Sequence, residues 1–148
     1  MNSNFSYPKW EDIPNIDLYL DQVLLYVNQV CDPISPDKDK GLTASMVNNY
    51  VKHGYLTKPD KKKYQRKQIA RLIAITTLKS VFSIQEIAQT LNTLQTQANS
   101  DQLYDAFVDY MNHGIDPENP IIQTSCQTVK LYHQTLDLIL IKEEEEIQ

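Results

Sequence analysis

The sequence predicts a mainly α domain with a small β wing, and three observations carry that expectation. Apolar residues recur at helical spacing through most of the 148 residues. Only three glycines are present, too few for the tight turns of an all-β fold or for a glycine-rich phosphate loop. Hydrophobic residues make up 41% and charged residues 22%, the balance of a globular chain that needs neither metal nor disulfide to bury a core. The length suits a single domain, 1–148.

The elements follow in chain order. From Asn15 to Cys31, Ile16, Leu20, Val23, Leu24, Val27 and Val30 trace one face of a helix with Asn15 as its N-cap. Asp32-Pro33 ends it, and DPISPDKDKG reads as a loop. Thr43 caps a short helix that runs to His53, where Gly54 suits a left-handed stop. In YLTKPDKKKY, residues 55–64, Pro59-Asp60 turn the chain as a small hairpin or an extended loop. A further helix covers Gln65 to Ser80, with Ile69, Leu72, Ile73 and Thr76 along one side.

Ser83 and Glu86 form a capping box, and Phe82 with Ile87 a hydrophobic staple, so a helix starts there and continues through Ala88, Leu91 and Leu94. The tract QTQANSD is a polar linker. Leu103, Tyr104, Phe107, Val108 and Met111 mark the next helix, stopped near His113-Gly114. Asn119 and Pro120 begin the last one, which reaches Ile141 before an acidic tail, Glu143–Glu146, expected to fray.

Charge is unevenly divided. The whole chain carries −5. Segment 38–79 holds Lys38, Lys40, Lys52, Lys58, Lys61, Lys62, Lys63, Arg66, Lys67, Arg71 and Lys79 against Asp39 and Asp60, a net +9. The remaining three basic and seventeen acidic residues leave −14. A concentrated positive stretch in an acidic protein is the footprint of a surface for a polyanion.

Within that segment the helix after Thr43 is amphipathic. Val47, Tyr50, Val51 and Gly54 share the face expected to be buried, with Gly54 as a close-packing residue. Ser45, Asn48, Asn49 and Lys52 share the opposite face, and these side-chain types bond base edges and phosphates. An asparagine pair favours helix poorly, so its place on an exposed face asks for another reason. Directly downstream come Lys58, Lys61, Lys62 and Lys63 between Tyr55 and Tyr64, then Arg66 and Lys67. A polar helix face followed by a basic loop is the order of a winged helix-turn-helix, whose second helix enters the major groove while the wing grips the backbone. His53 and Tyr64 complete the expected contact set.

The stretch LTASMVNNYVKHGYLTKPDKKKYQRKQIARLIAITTLKSVFSIQEIAQTL also resembles the DNA-binding region of MerR-type transcriptional regulators. The matching positions are Tyr50, Gly54 and Leu56, then Tyr64 and Arg66, then Ile69, Leu72 and Ile75, then Phe82, Ser83, Ile84 and Ile87. From YPKWEDIPNIDLYLDQVL onward the chain is similar to bacterial domain-of-unknown-function family 1836, regarded as transcriptional regulators. The first resemblance implies a MerR-like winged helix-turn-helix over 43–92, and the second a regulatory role.

Other sites are set aside. Cys31 and Cys126 are expected as buried thiols in a reducing cytoplasm, although one long-range disulfide stays open. His53 and His113 each precede a glycine at a helix end, a capping position. Cys126 and His133 lie two turns apart with no third group to orient them. Trp10 with Tyr7 and Pro8 reads as an anchor for the N-terminal segment, or else as an aromatic platform. No cofactor, metal site or catalytic constellation is expected, the N-terminus carries no secretory signal, and no run spans a membrane.

The expectation is therefore a cytoplasmic, sequence-specific DNA-binding regulator, not an enzyme. Helix 43–53 reads the major groove of double-stranded DNA, the basic wing 57–64 grips its backbone, and region 100–141 serves dimerisation or sensing. A homodimer and a small-molecule effector remain open as partners. The alternative is an interaction module whose basic patch docks an acidic partner. In the last helix Ile122, Cys126, Val129, Tyr132, Leu136 and Leu140 would face either a second copy or the domain's own core.

Overall fold

The computed structural model describes residues 6–31 and 41–147. A 3-10 turn, Trp10–Asp12, and strand β1, Leu18–Tyr19, precede helix α1, Leu20–Cys31. Then come α2 (Ala44–Lys52), β2 (Lys63–Tyr64), α3 (Arg66–Leu78), α4 (Ile84–Gln95), α5 (Ser100–His113) and α6 (Pro120–Ile147). The described residues are mainly helical. Their one sheet has two antiparallel strands, pairing Leu18 with Tyr64 and Tyr19 with Lys63.

Helix α3 is the axis of the fold. Ile69, Leu72, Ile73 and Ile75 are at most 1% exposed, and Ala70, Thr77 and Leu78 are buried around the rest of its circumference. Beyond its basic first turns the helix is buried on nearly every side, and α1, α4, α5 and α6 all pack on it. The expected one-sided stripe was therefore too narrow: Thr77, not Thr76, is fully buried, its hydroxyl donating to the Ile73 carbonyl at 2.9 Å.

The N-terminal segment lies as a strap across α5. The Tyr7 amide donates to Asn112 Oδ1 at 2.8 Å while Asn112 Nδ2 donates to the Tyr7 carbonyl at 3.0 Å. The Trp10 amide donates to Asp105 Oδ1, and the Tyr104 hydroxyl to the Pro8 carbonyl, both at 2.8 Å. Lys9 pairs with Asp109 at 3.1 Å, and the Trp10 ring stands edge-on to Tyr104. Trp10 is an anchor, as one of its two readings had it.

Several boundaries differ from expectation. The first helix begins at Leu20, not Asn15, because Leu18 and Tyr19 pair as a strand with residues far along the chain. Asn15 therefore caps nothing, and Ile16 is 65% exposed. The last helix runs on to Ile147 through Glu143–Glu146. Glutamate favours helix, and Lys142 pairs with Glu145 at 3.6 Å. The polar tract 95–101 keeps only residues 96–99 between α4 and α5, because Asn99 and Gln102 form a reciprocal capping box that starts α5 early. Of the loop expected at 32–41, residues 32–40 lie outside the described residues.

Local motifs held where their partners lie within one helical turn. Ser83 and Glu86 cap α4 reciprocally, Asn119 Oδ1 accepts from the Ile121 amide at the start of α6, and α5 stops at Gly114.

Candidate nucleic-acid interface

Helix α2 is held by both its start and its buried face. Thr43 Oγ1 accepts from the Met46 amide at 3.2 Å. Just before it, Asn28 of α1 clamps Leu42, accepting from its amide at 2.8 Å and donating to its carbonyl at 2.9 Å. A Cβ on Gly41 would sit 2.8 Å from Asn28 Oδ1, so the clamp needs the missing side chain. Val47 and Tyr50 are buried, which turns Ser45, Asn48, Asn49 and Lys52 together to the exterior. That is the face expected from the spacing.

Gly54 ends the helix at φ +76, a backbone conformation other residues resist. It is not a close-packing glycine: nothing lies within 4 Å of where its Cβ would stand. The requirement is conformational. His53 is exposed at the helix end, its ring tilted on Tyr55.

The basic segment is suspended from α3. Arg71 Nε donates to the Tyr55 carbonyl at 2.7 Å, and Gln68 Nε2 donates to the Thr57 and Lys58 carbonyls at 2.9 and 3.2 Å. Gln68 also closes a reciprocal cap with Gln65, and Leu56 is buried beneath. Of the two alternatives, hairpin or loop, the chain makes a hairpin tip, with its turn at Lys61-Lys62 and not at Pro59-Asp60. Asp60 and Lys63 exchange backbone hydrogen bonds at 3.1 and 2.9 Å around Lys61 and Lys62. These two lysines have φ of 51 and 67, the sign pattern of a type I′ turn, which ordinarily selects Asn-Gly. Each left-handed lysine costs roughly 1–2 kcal/mol.

The surface that results is cationic and unpaired. Ion pairs among the described residues are Lys9–Asp109 and Lys142–Glu145. Lys52, Lys58, Lys61, Lys62 and Lys67 are exposed and meet no carboxylate among the described residues, and Lys63 lies over the Tyr19 ring at 5.4 Å. Two expected contacts are placed differently. Tyr64 is 3% exposed and belongs to the core, while half-buried Arg66 donates from Nε to the Ile13 carbonyl at 3.2 Å. Lys38 and Lys40 fall outside the described residues.

Residues 8–107 match the family described as Domain of unknown function (DUF1836). The chain belongs to that family. The DUF1836 span runs from the strap to Phe107 in α5, so it contains α2, the hairpin and their supports, whereas α6 lies beyond it. No curated protein and no solved structure matches the chain.

Asn28, Gln68 and Arg71 position this surface and were not singled out in sequence as supports, since each bonds to backbone ten or more residues away. Burial pulls the Arg71 guanidinium below its usual range. Elsewhere, Cys31 and Cys126 are buried free thiols, each pushed by burial up to about 12, and His133 is pushed down by burial. Among the described residues no group of three or more His, Cys, Asp or Glu could hold a metal, and no helix is long and apolar enough to cross a membrane.

Proposed function

We propose that this DUF1836 protein is a sequence-specific DNA-binding transcriptional regulator with a MerR-like winged helix-turn-helix. In this reading α2 enters the major groove and presents Ser45, Asn48, Asn49 and Lys52 to base edges. The hairpin places Lys58, Lys61, Lys62 and Lys63 on the phosphates, with His53 and Lys67 beside it. The observation that carries the reading is the set of exposed cations without a carboxylate partner, beside an exposed asparagine pair, in a protein of net charge −5. Acidic groups are plentiful in this chain, yet among the described residues none forms an ion pair with these lysines; a polyanion would.

The test is a mobility-shift titration on random genomic fragments between about 50 and 200 mM salt. Neutralising about five phosphates should give a slope of log affinity on log salt of roughly −4 to −5. A slope near zero, or binding equal to that of an acidic control protein, would favour a protein partner for the patch instead.

One such helix reads only a few base pairs, so useful specificity calls for a two-fold dimer. We place the second copy along α6. Ile122, Cys126 and Val129 are spent on the domain's own core, but further along Leu131, Leu138, Leu140 and Ile141 are exposed. Light scattering at tens of micromolar should report a dimer, and a monomer would leave α6 as a cover for its own core alone.

A further inference from the structure

Between α3, α4, α5 and α6 lies a cleft of about 80 Å³, walled by Ala74, Leu91, Leu94, Leu103 and Phe107 among others. Beside it, toward the base of the hairpin, a more polar space of about 130 Å³ is bounded by Gly54, Tyr55, Thr57 and Asn92. Lys67, Arg71 and Gln95 line both spaces. An apolar chamber thus adjoins a cationic one across three shared side chains.

Arg71 is the unusual member. Its Nε is used by the Tyr55 carbonyl and one terminal nitrogen by Asn92 Oδ1 at 3.1 Å, which leaves guanidinium donors free. Neither Arg71 nor Lys67 has a carboxylate partner among the described residues. Withdrawing a cation from water without a counter-charge is costly, and an anion placed there would recover much of that cost through charge-assisted bonds. Apolar walls with a few convergent polar groups are the general form of a small-molecule site.

We infer that these adjoining spaces bind a small amphipathic anion, its carboxylate held by Arg71 and Lys67 and its alkyl chain in the cleft. Size restricts the chain. The cleft is roughly half the 150 Å³ cavity that accommodates benzene, so it takes about three or four carbons. The inference does not rest on DNA binding, since every group it uses is defined by the domain itself.

Calorimetric titration of the full chain with pentanoate, acetate and 1-pentanol tests it. Each methylene buried should tighten binding about fourfold, so pentanoate should exceed acetate by some tens of fold. Pentanoate should also exceed 1-pentanol by about tenfold or more, because only the anion engages the two cations. Ala74→Leu fills the cleft and should abolish pentanoate binding with the helical circular dichroism unchanged. Lys67→Gln, at an exposed position, should weaken pentanoate severalfold while leaving 1-pentanol unaffected, and it remains decisive if Ala74→Leu does not fold. No heat at 10 mM pentanoate, about a hundredfold above a dissociation constant of roughly 0.1 mM, overturns the inference. So does equal binding of pentanoate and acetate, or unchanged pentanoate affinity in Lys67→Gln.

Discussion

The strap over α5 and the surface of α2 with its hairpin use similar materials to opposite ends. Both set polar side chains at the surface, the strap on irregular backbone and the other on a nine-residue helix and a hairpin. In the strap the polar groups close on one another: Asn112 takes both backbone groups of Tyr7, Asp105 takes the Trp10 amide, and Asp109 takes Lys9. On α2 and the hairpin the supports come from underneath, through Asn28, Gln68 and Arg71, and among the described residues the outer lysines meet no carboxylate. A polar group that finds its partner inside the chain contributes to holding the fold, typically by about 1 kcal/mol. One that is presented without a partner contributes nothing to folding and stays available to a ligand. What separates the two regions is whether a complementary partner lies within reach inside the chain.

The largest expected effect comes from removing the unpartnered cations. Replacing Lys61, Lys62 and Lys63 with Ala should weaken binding to all DNA alike, by up to two to three orders of magnitude near 0.1 M salt. The salt slope should become shallower by up to about 2.7, with the melting temperature nearly unchanged. Mobility shifts at several salt concentrations measure both quantities, and a loss confined to one DNA sequence would contradict a purely electrostatic grip.

Next in size is the asparagine pair. Asn48→Ala with Asn49→Ala should raise helix propensity and spare folding, while preference for the operator falls by roughly 1–3 kcal/mol for each bidentate contact removed. Affinity for random DNA should be largely retained. Equal loss on specific and random DNA would make α2 a second backbone grip.

The smallest effect belongs to the strap. Asn112→Ala removes the side chain that bonds both the Tyr7 amide and its carbonyl and should cost about 1–3 kcal/mol of stability. Calorimetry should show a melting point lower by several degrees, with DNA affinity intact well below that temperature. If affinity fell in step with stability, the two regions would not be independent.

Sequence made the local features legible. The Thr43 cap, the Ser83–Glu86 box and the Asn119 cap each close within about one helical turn, so the residues involved sit side by side in the chain. The two faces of α2 were legible for the same reason, through the 3.6-residue period. What escaped depends on distant partners. Strand β1 exists only because residues 63–64 pair with it, and helical periodicity across Ile16 and Leu20 concealed it. The hairpin stayed open as an alternative because its tip reads Lys-Lys rather than Asn-Gly. Arg71 counted only as one charge among eleven, since nothing in its neighbours shows that Tyr55 and Asn92 will hold it beside a cleft. Tyr64 was misjudged because an aromatic beside lysines looks exposed until the strand it pairs with is known.

The left-handed tip of the hairpin sets two selections against each other. A library varied at residues 61 and 62 and sorted for heat resistance should drift to Asn-Gly, relieving roughly 1–2 kcal/mol at each position. The same library sorted for capture on DNA should keep lysine at both. Improving this domain as a scaffold would then erode it as a binder at two adjacent letters.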